Sequence, residues 1–167
     1  RLSPDPDVSF AATGAAQLPA IEAADAGGFQ EIVGFGAAIT DASAILINGL
    51  PAERRELLLR ELFDPDSGIG LSFTRLTIGA SDFSPYHYTF DDMPPGQRDP
   101  TLARFSIEPD RANRLPVVRR ARAINPALKV MASPWSAPAW MKTSDKLIKG
   151  SLRPDANKAV AEYLARY

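Results

Sequence analysis

The 167-residue sequence contains no cysteine and only one histidine, His87. Without thiols there can be no disulfide, no thiolate nucleophile and no Cys-type zinc site, and one imidazole leaves little from which to build a His-based metal centre. No cofactor or metal is therefore expected. Missing cysteine does not fix a compartment. No apolar run approaches the roughly 18 residues needed to cross a bilayer, which argues against a membrane-spanning helix. Excess charge is absent too: 19 basic and 20 acidic side chains give a formal net charge of −1, too balanced for a protein that binds nucleic acid through its backbone charge. The first residues, RLSPDPDVSF, have neither an initiating methionine nor the apolar run of a signal peptide, so the expectation is a longer parent sequence or a processed one.

What remains is a globular composition, 45% hydrophobic, with its only two tryptophans in the stretch MASPWSAPAWMK, residues 131–142. An indole needs a partner for its N–H and either a core or a flat ligand for its rings. Pro134 and Pro138 oppose both a continuing central strand and a helix, so Trp135 and Trp140 belong to an ordered loop that follows a strand. Loops of that kind are where binding sites are often built.

The same order recurs along the chain. Residues 1–30 read as one or two weak strands or a strap. EIVGFGAAI (31–39) reads as a strand, and Thr40 or Asp41 can cap the helix that follows. In LPAERRELLLRELFD, Leu58, Leu59, Leu62 and Phe63 form one stripe opposite Arg54, Arg55, Glu56, Arg60 and Glu61, the pattern of a surface helix. LSFTRLTIGA (71–80) is a second strand, with Arg75 sharing a parity with Leu71 and Phe73. After a polar, proline-rich excursion, LPVVRRARAI makes a basic amphipathic helix, LKVMAS a third strand, and a last helix begins near Asp155. Its Val160, Tyr163, Leu164 and Tyr167 fall at helical spacing.

Strand alternating with helix signals a parallel sheet with crossover helices, an α/β fold. Three such units fit either the start of a (β/α)8 barrel or a small open sheet. Both place Arg75, the SDFS run with Asp82, and Trp135 with Trp140 at the carboxyl ends of strands.

The motifs GFGAAITDASA, TRLTIGASDFS, YTFDDMP and ASPWSAPAWMKT, in that order over residues 34–143, resemble glycoside hydrolase family 30, the group that includes glucosylceramidases and related bacterial β-glycosidases. The resemblance implies a (β/α)8 TIM barrel joined to a side β-sandwich, and a retaining mechanism with two glutamates. On this view residues 1–30 belong to the sandwich, and residues 31–167 carry barrel strands 1 to 3. Family members place the acid/base glutamate in an Asn-Glu-Pro motif after the fourth strand and the nucleophile after the seventh. No Asn-Glu-Pro occurs here. Retaining hydrolysis requires two carboxyls about 5 Å apart, so the chain alone is expected to be inactive and to need the rest of its barrel. By the same resemblance Asp82 holds sugar hydroxyls, Arg75 orients carboxylates, Trp135 lines the pocket and Trp140 props the loop. The substrate implied is a β-glycoside, glucosyl by preference, and the location secreted or periplasmic.

Simpler roles compete with these. Asp82 between Ser81 and Ser84 can cap a turn, and a buried Arg75 needs an acidic partner, for which Asp82 is one candidate. Either tryptophan can be core. Asp41 reads as a cap, and His87 and Tyr88 as loop residues without a catalytic role. GFGAAI is not a dinucleotide fingerprint, because Ile39 stands where a third small residue is required and Glu56 falls inside a helix. A retaining β-glycosidase, a non-catalytic sugar-binding module and an unrelated α/β domain thus remain. A chain of three strands also leaves a parallel edge unpaired, which favours association.

Overall fold

The computed structural model describes residues 28–167. The expected sandwich strap lies outside these residues, except for 28–30, which form no strand.

Three parallel strands, β1 (Gly36–Ala38), β2 (Phe73–Ile78) and β3 (Lys129–Pro134), pair in the order β1-β2-β3. Gly36 lies opposite Phe73, and Ile78 opposite Pro134. All three strands therefore point their carboxyl ends to one edge. The first strand is much shorter than the apolar run 31–39 suggested. Ile32, Val33 and Phe35 are exposed, so apolar content there does not report a buried strand. Pairing starts where the backbones meet closely: a Cβ on residue 36 would lie 1.4 Å from the Phe73 carbonyl oxygen, so only glycine fits.

Crossover helices cover one face. Helix α1 (Asp41–Asn48) is capped by Thr40, whose Oγ1 accepts from Ser43 N while Ser43 Oγ accepts from Thr40 N. The periodic stripe becomes α2 (Ala52–Phe63), with Leu59 and Phe63 buried against Leu76, Val117 and Ala121. Helix α4 (Arg114–Ile124) follows a short α3 (Glu108–Ala112) that the sequence pattern did not reveal. Glu56 ties α2 to α4 through Arg120; that hydrogen-bonded guanidinium, with Arg60 alongside, holds the Glu56 carboxyl down to about 2.

A second cluster fills the other end of the chain. The excursion read as polar buries Tyr88, Phe90 and Leu102 against Trp140, Met141 and the Tyr163 ring of α5 (Asn157–Arg166). Phe90 N donates to the Tyr163 hydroxyl at 3.2 Å. These aromatics find partners far along the chain, which local polarity cannot signal. The face of β2 that enters the two clusters is that of Leu76 and Ile78, not that of Arg75. Among the described residues β3 pairs with β2 alone, and the exposed Val130 borders an apolar groove that Leu164 and Tyr167 also line.

Candidate functional site at the carboxyl edge of the sheet

The loops that leave β1, β2 and β3 meet at the carboxyl edge. Beyond β2 the chain turns through Ser81–Ser84. Ser84 N donates to Ser81 O at 3.1 Å, Phe83 N to Ser81 Oγ at 3.1 Å, and Ser81 N to Ser84 Oγ at 3.0 Å. The two serines cap the turn, so Asp82 does not. Its carboxylate is exposed and has no hydrogen bond among the described residues.

Asp82 opens onto a hollow of 210 Å³ whose walls include His87, Tyr88, Trp135, Ser136 and Ile148. Trp135 follows β3 and is 46% exposed. Arg75 lies over its ring, with the guanidinium carbon 5.2 Å from the centroid. The acidic partner expected for Arg75 is not Asp82; among the described residues Arg75 forms no ion pair, and the indole face takes that place. The structure thus brings Arg75, Asp82 and Trp135 to one edge, two of them on one hollow.

Trp140 is separate from them. It is buried, and its Nε1 donates to both the carbonyl and Oδ2 of Asp91 at 3.1 Å. Its bond ties the tryptophan loop to the YTFDDMP segment. Asp91 Oδ1 is buried without a partner among the described residues. Burial, with Asp99 nearby, pushes the Asp91 carboxyl from 3.8 up to about 6. A raised carboxyl binds its proton more tightly in the folded state. The contribution of Asp91 to stability is then greatest below about pH 4 and declines as pH rises through 6, by roughly 1–2 kcal/mol after allowance for solvent screening. Asp91→Asn keeps an acceptor for Trp140 and removes the charge. The variant is expected to gain stability over the parent at pH 7.5 and to lose that advantage at pH 4.5 in denaturant titrations of the full-length protein; parallel profiles would contradict this.

The residue that sequence reading most underrated is Asp41. It does not cap α1. It is buried, accepts from Ser84 Oγ and from the Tyr88 hydroxyl at 3.0 Å, and pairs with Arg114 Nε at 3.2 Å. Tyr88, read as a loop residue, is likewise buried in this network. One signal was available: with Thr40 already an ideal cap, the carboxylate beside it was free for another task.

Lys142 was missed as well. It is buried, and its Nζ donates to Ser136 Oγ at 3.1 Å and to Leu147 O at 2.6 Å, joining the tryptophan loop to the segment that supplies Leu147 and Ile148 to the hollow. Burial lowers its pKa. Among the described residues no cluster of histidine, cysteine, aspartate or glutamate is arranged to hold a metal, and no helix is long and apolar enough to cross a membrane.

Parallel βα units with chemistry-bearing side chains at the carboxyl edge are the layout of a barrel enzyme, and the match to known proteins is specific. Residues 32–167 match the glycosyl hydrolase family 30 TIM-barrel domain. The chain belongs to glycosyl hydrolase family 30. Its relatives include the lysosomal acid glucosylceramidase of Mus musculus, 34% identical over 142 residues, covering 83% of this chain and 27% of that protein. The endo-1,6-β-D-glucanase neg1 of Aspergillus fumigatus is 41% identical over 119 residues, covering 71% of this chain and 24% of its own length. Among solved structures, the endo-β1,6-glucanase BT3312 superposes with a TM-score of 0.75 at 32% identity, covering 85% of this chain and 32% of that one. This family 30 chain therefore spans less than a third of these relatives. Its three-stranded parallel sheet with crossover helices is consistent with part of an α/β barrel, and the open-sheet alternative gives way.

Proposed function

We propose that the full-length protein is a retaining β-glycosidase acting on glucosyl groups, and that this chain supplies one wall of its sugar pocket. The observation that carries the reading is the meeting at one sheet edge of Arg75 over the Trp135 ring and of Asp82 beside Trp135 on a single hollow. A carboxylate accepts directed hydrogen bonds from vicinal hydroxyls, and an indole face packs on sugar C–H groups. Arg75, held by the indole rather than by a carboxylate, keeps donors for carboxylates brought by the rest of the barrel. The glucosyl preference draws on the relatives, whose names join glucosylceramide and β-1,6-glucan through the same sugar. Secretion or a periplasmic location belongs to the same proposal and rests on family resemblance alone.

Retaining chemistry needs a protonated carboxyl and an attacking carboxylate about 5 Å apart. The sequence contains no Asn-Glu-Pro motif, the setting of the acid/base glutamate in the family, and this supports a reading in which both glutamates come from the rest of the barrel. The test is to incubate a chromogenic aryl β-glucoside with the full-length gene product and, separately, with residues 1–167. The expected outcome is release of the chromophore with retained anomeric configuration by the former and none by the latter. Hydrolysis by residues 1–167 would refute the division of labour. Binding without hydrolysis by the full-length product would instead favour the sugar-binding module.

A further inference from the structure

The Ser81–Ser84 turn presents the one carboxylate on the hollow, and its position depends on a side chain that does not reach the hollow. Ser84 Oγ stands at the centre. It accepts from Ser81 N at 3.0 Å, on the near side of Asp82, and donates to Asp41 Oδ2 on the far side. Asp41 is itself immobilised, 4% exposed and bound by Arg114 Nε at 3.2 Å and the Tyr88 hydroxyl at 3.0 Å. The backbone adds one parallel link, Ala42 N to Phe83 O at 3.0 Å. The fixed amino end of α1 is thus tied to both sides of Asp82, while the Asp82 carboxylate itself has no partner among the described residues to hold it.

We infer that Ser84, anchored on Asp41, is a positioning residue that sets the direction of the Asp82 carboxylate toward the sugar. The inference rests on the pocket reading proposed above. A hydroxyl bonded to a buried carboxylate is a charge-assisted link, and it is lost with the oxygen alone. Removing Ser84 Oγ leaves Asp41 its pair with Arg114 and its bond from Tyr88, so the core keeps its charge balance. The turn, however, loses its only side-chain tie to α1 among the described residues and is left with the single backbone link from Ala42 N to Phe83 O. Placement errors of around an ångström in a binding group cost a large part of its effect.

The experiment uses the full-length protein and a chromogenic aryl β-glucoside. Ser84→Ala is expected to lower kcat/KM about tenfold, in line with loss of one hydrogen bond to a charged group, with an unchanged melting temperature to within a few degrees. Ser84→Thr, which keeps the hydroxyl, restores the rate, whereas Ser84→Val, of the same shape, does not. The decisive arm is the double variant. In an Asp82→Asn background, Ser84→Ala should cost nothing further, because the group it aims has already been disabled. Equal losses in both backgrounds, or equal rates for the Thr and Val variants, overturn the inference while leaving the pocket reading intact. Full activity in Asp82→Asn overturns the pocket reading, and the inference with it.

Discussion

Replacing Arg114 by methionine is expected to destabilise the full-length protein by about 3–5 kcal/mol, the cost of breaking a buried ion pair on one side only. Arg114 is the largest fully buried side chain among the described residues, at 0% exposure. Its guanidinium donates to Asp110, whose Oδ1 lies 2.9 Å from Nε; to Thr77 O at 2.7 Å; and to the Tyr88 hydroxyl at 3.0 Å. Asp41 Oδ1 is 3.2 Å from Nε. Two carboxylates and the end of β2 therefore share one cation, and the Tyr167 hydroxyl completes Asp110 from the end of α5 at 3.0 Å. Burial pushes the Asp110 carboxyl up, with Arg114 opposing.

Methionine would fill much of the volume but leave two like charges facing each other out of water. Lysine would do only a little better, since three rotatable donors cannot reproduce a fork shared among Asp110, Thr77 and Tyr88. The sign of the pH effect follows. Stranded carboxylates regain stability by taking up protons, so the deficit of Arg114→Met should be largest near pH 8 and shrink towards pH 4.5. Denaturant titration at the two pH values reads both quantities. A loss below about 1 kcal/mol, the size of an exposed pair, and independent of pH, would sink the argument.

That network also marks where sequence reading stops. Elements whose signals are local were legible: the Thr40 cap, the Leu59–Phe63 stripe of α2, the β2 strand and the helix at 157–166 all rest on spacing within a dozen residues. Family motifs added the barrel and singled out Arg75, Asp82 and Trp135. What escaped depends on pairs distant in sequence. Asp41 looked like a cap because its partners Ser84, Tyr88 and Arg114 lie in other units. The excursion after β2 looked polar because Phe90 and Leu102 close a core only when Trp140 and Tyr163 arrive. The run 31–39 looked like a strand because apolar residues suit strands, yet the paired strand begins only at Gly36, opposite Phe73, where a side chain would collide with the neighbouring backbone. Arg75 seemed to require a carboxylate, although a π-face 5.2 Å away satisfies a guanidinium too.

The two tryptophans then make opposite predictions, and Trp135 carries the larger functional one. Trp135→Ala is expected to reduce kcat/KM of the full-length protein by about 30- to 100-fold, which corresponds to roughly 2–3 kcal/mol for the apolar contact of half an indole with a sugar face. Its stability cost should stay near 1 kcal/mol or below, because the ring is 46% exposed and its clearest tie is the cation–π contact with Arg75. Trp135→Phe should fall between, keeping a flat face of smaller area. Trp140, at 6% exposure and with its N–H bonded to Asp91, has the reverse profile: a change there unsettles the core before it touches substrate. Steady-state kinetics on the aryl β-glucoside, paired with melting temperatures, separate the two cases. A Trp135→Ala variant that loses stability but keeps its kcat/KM would make this residue a prop like its neighbour. The wall of the pocket would then have to be sought at Asp82, Tyr88 and the Leu147–Ile148 segment that Lys142 holds in place.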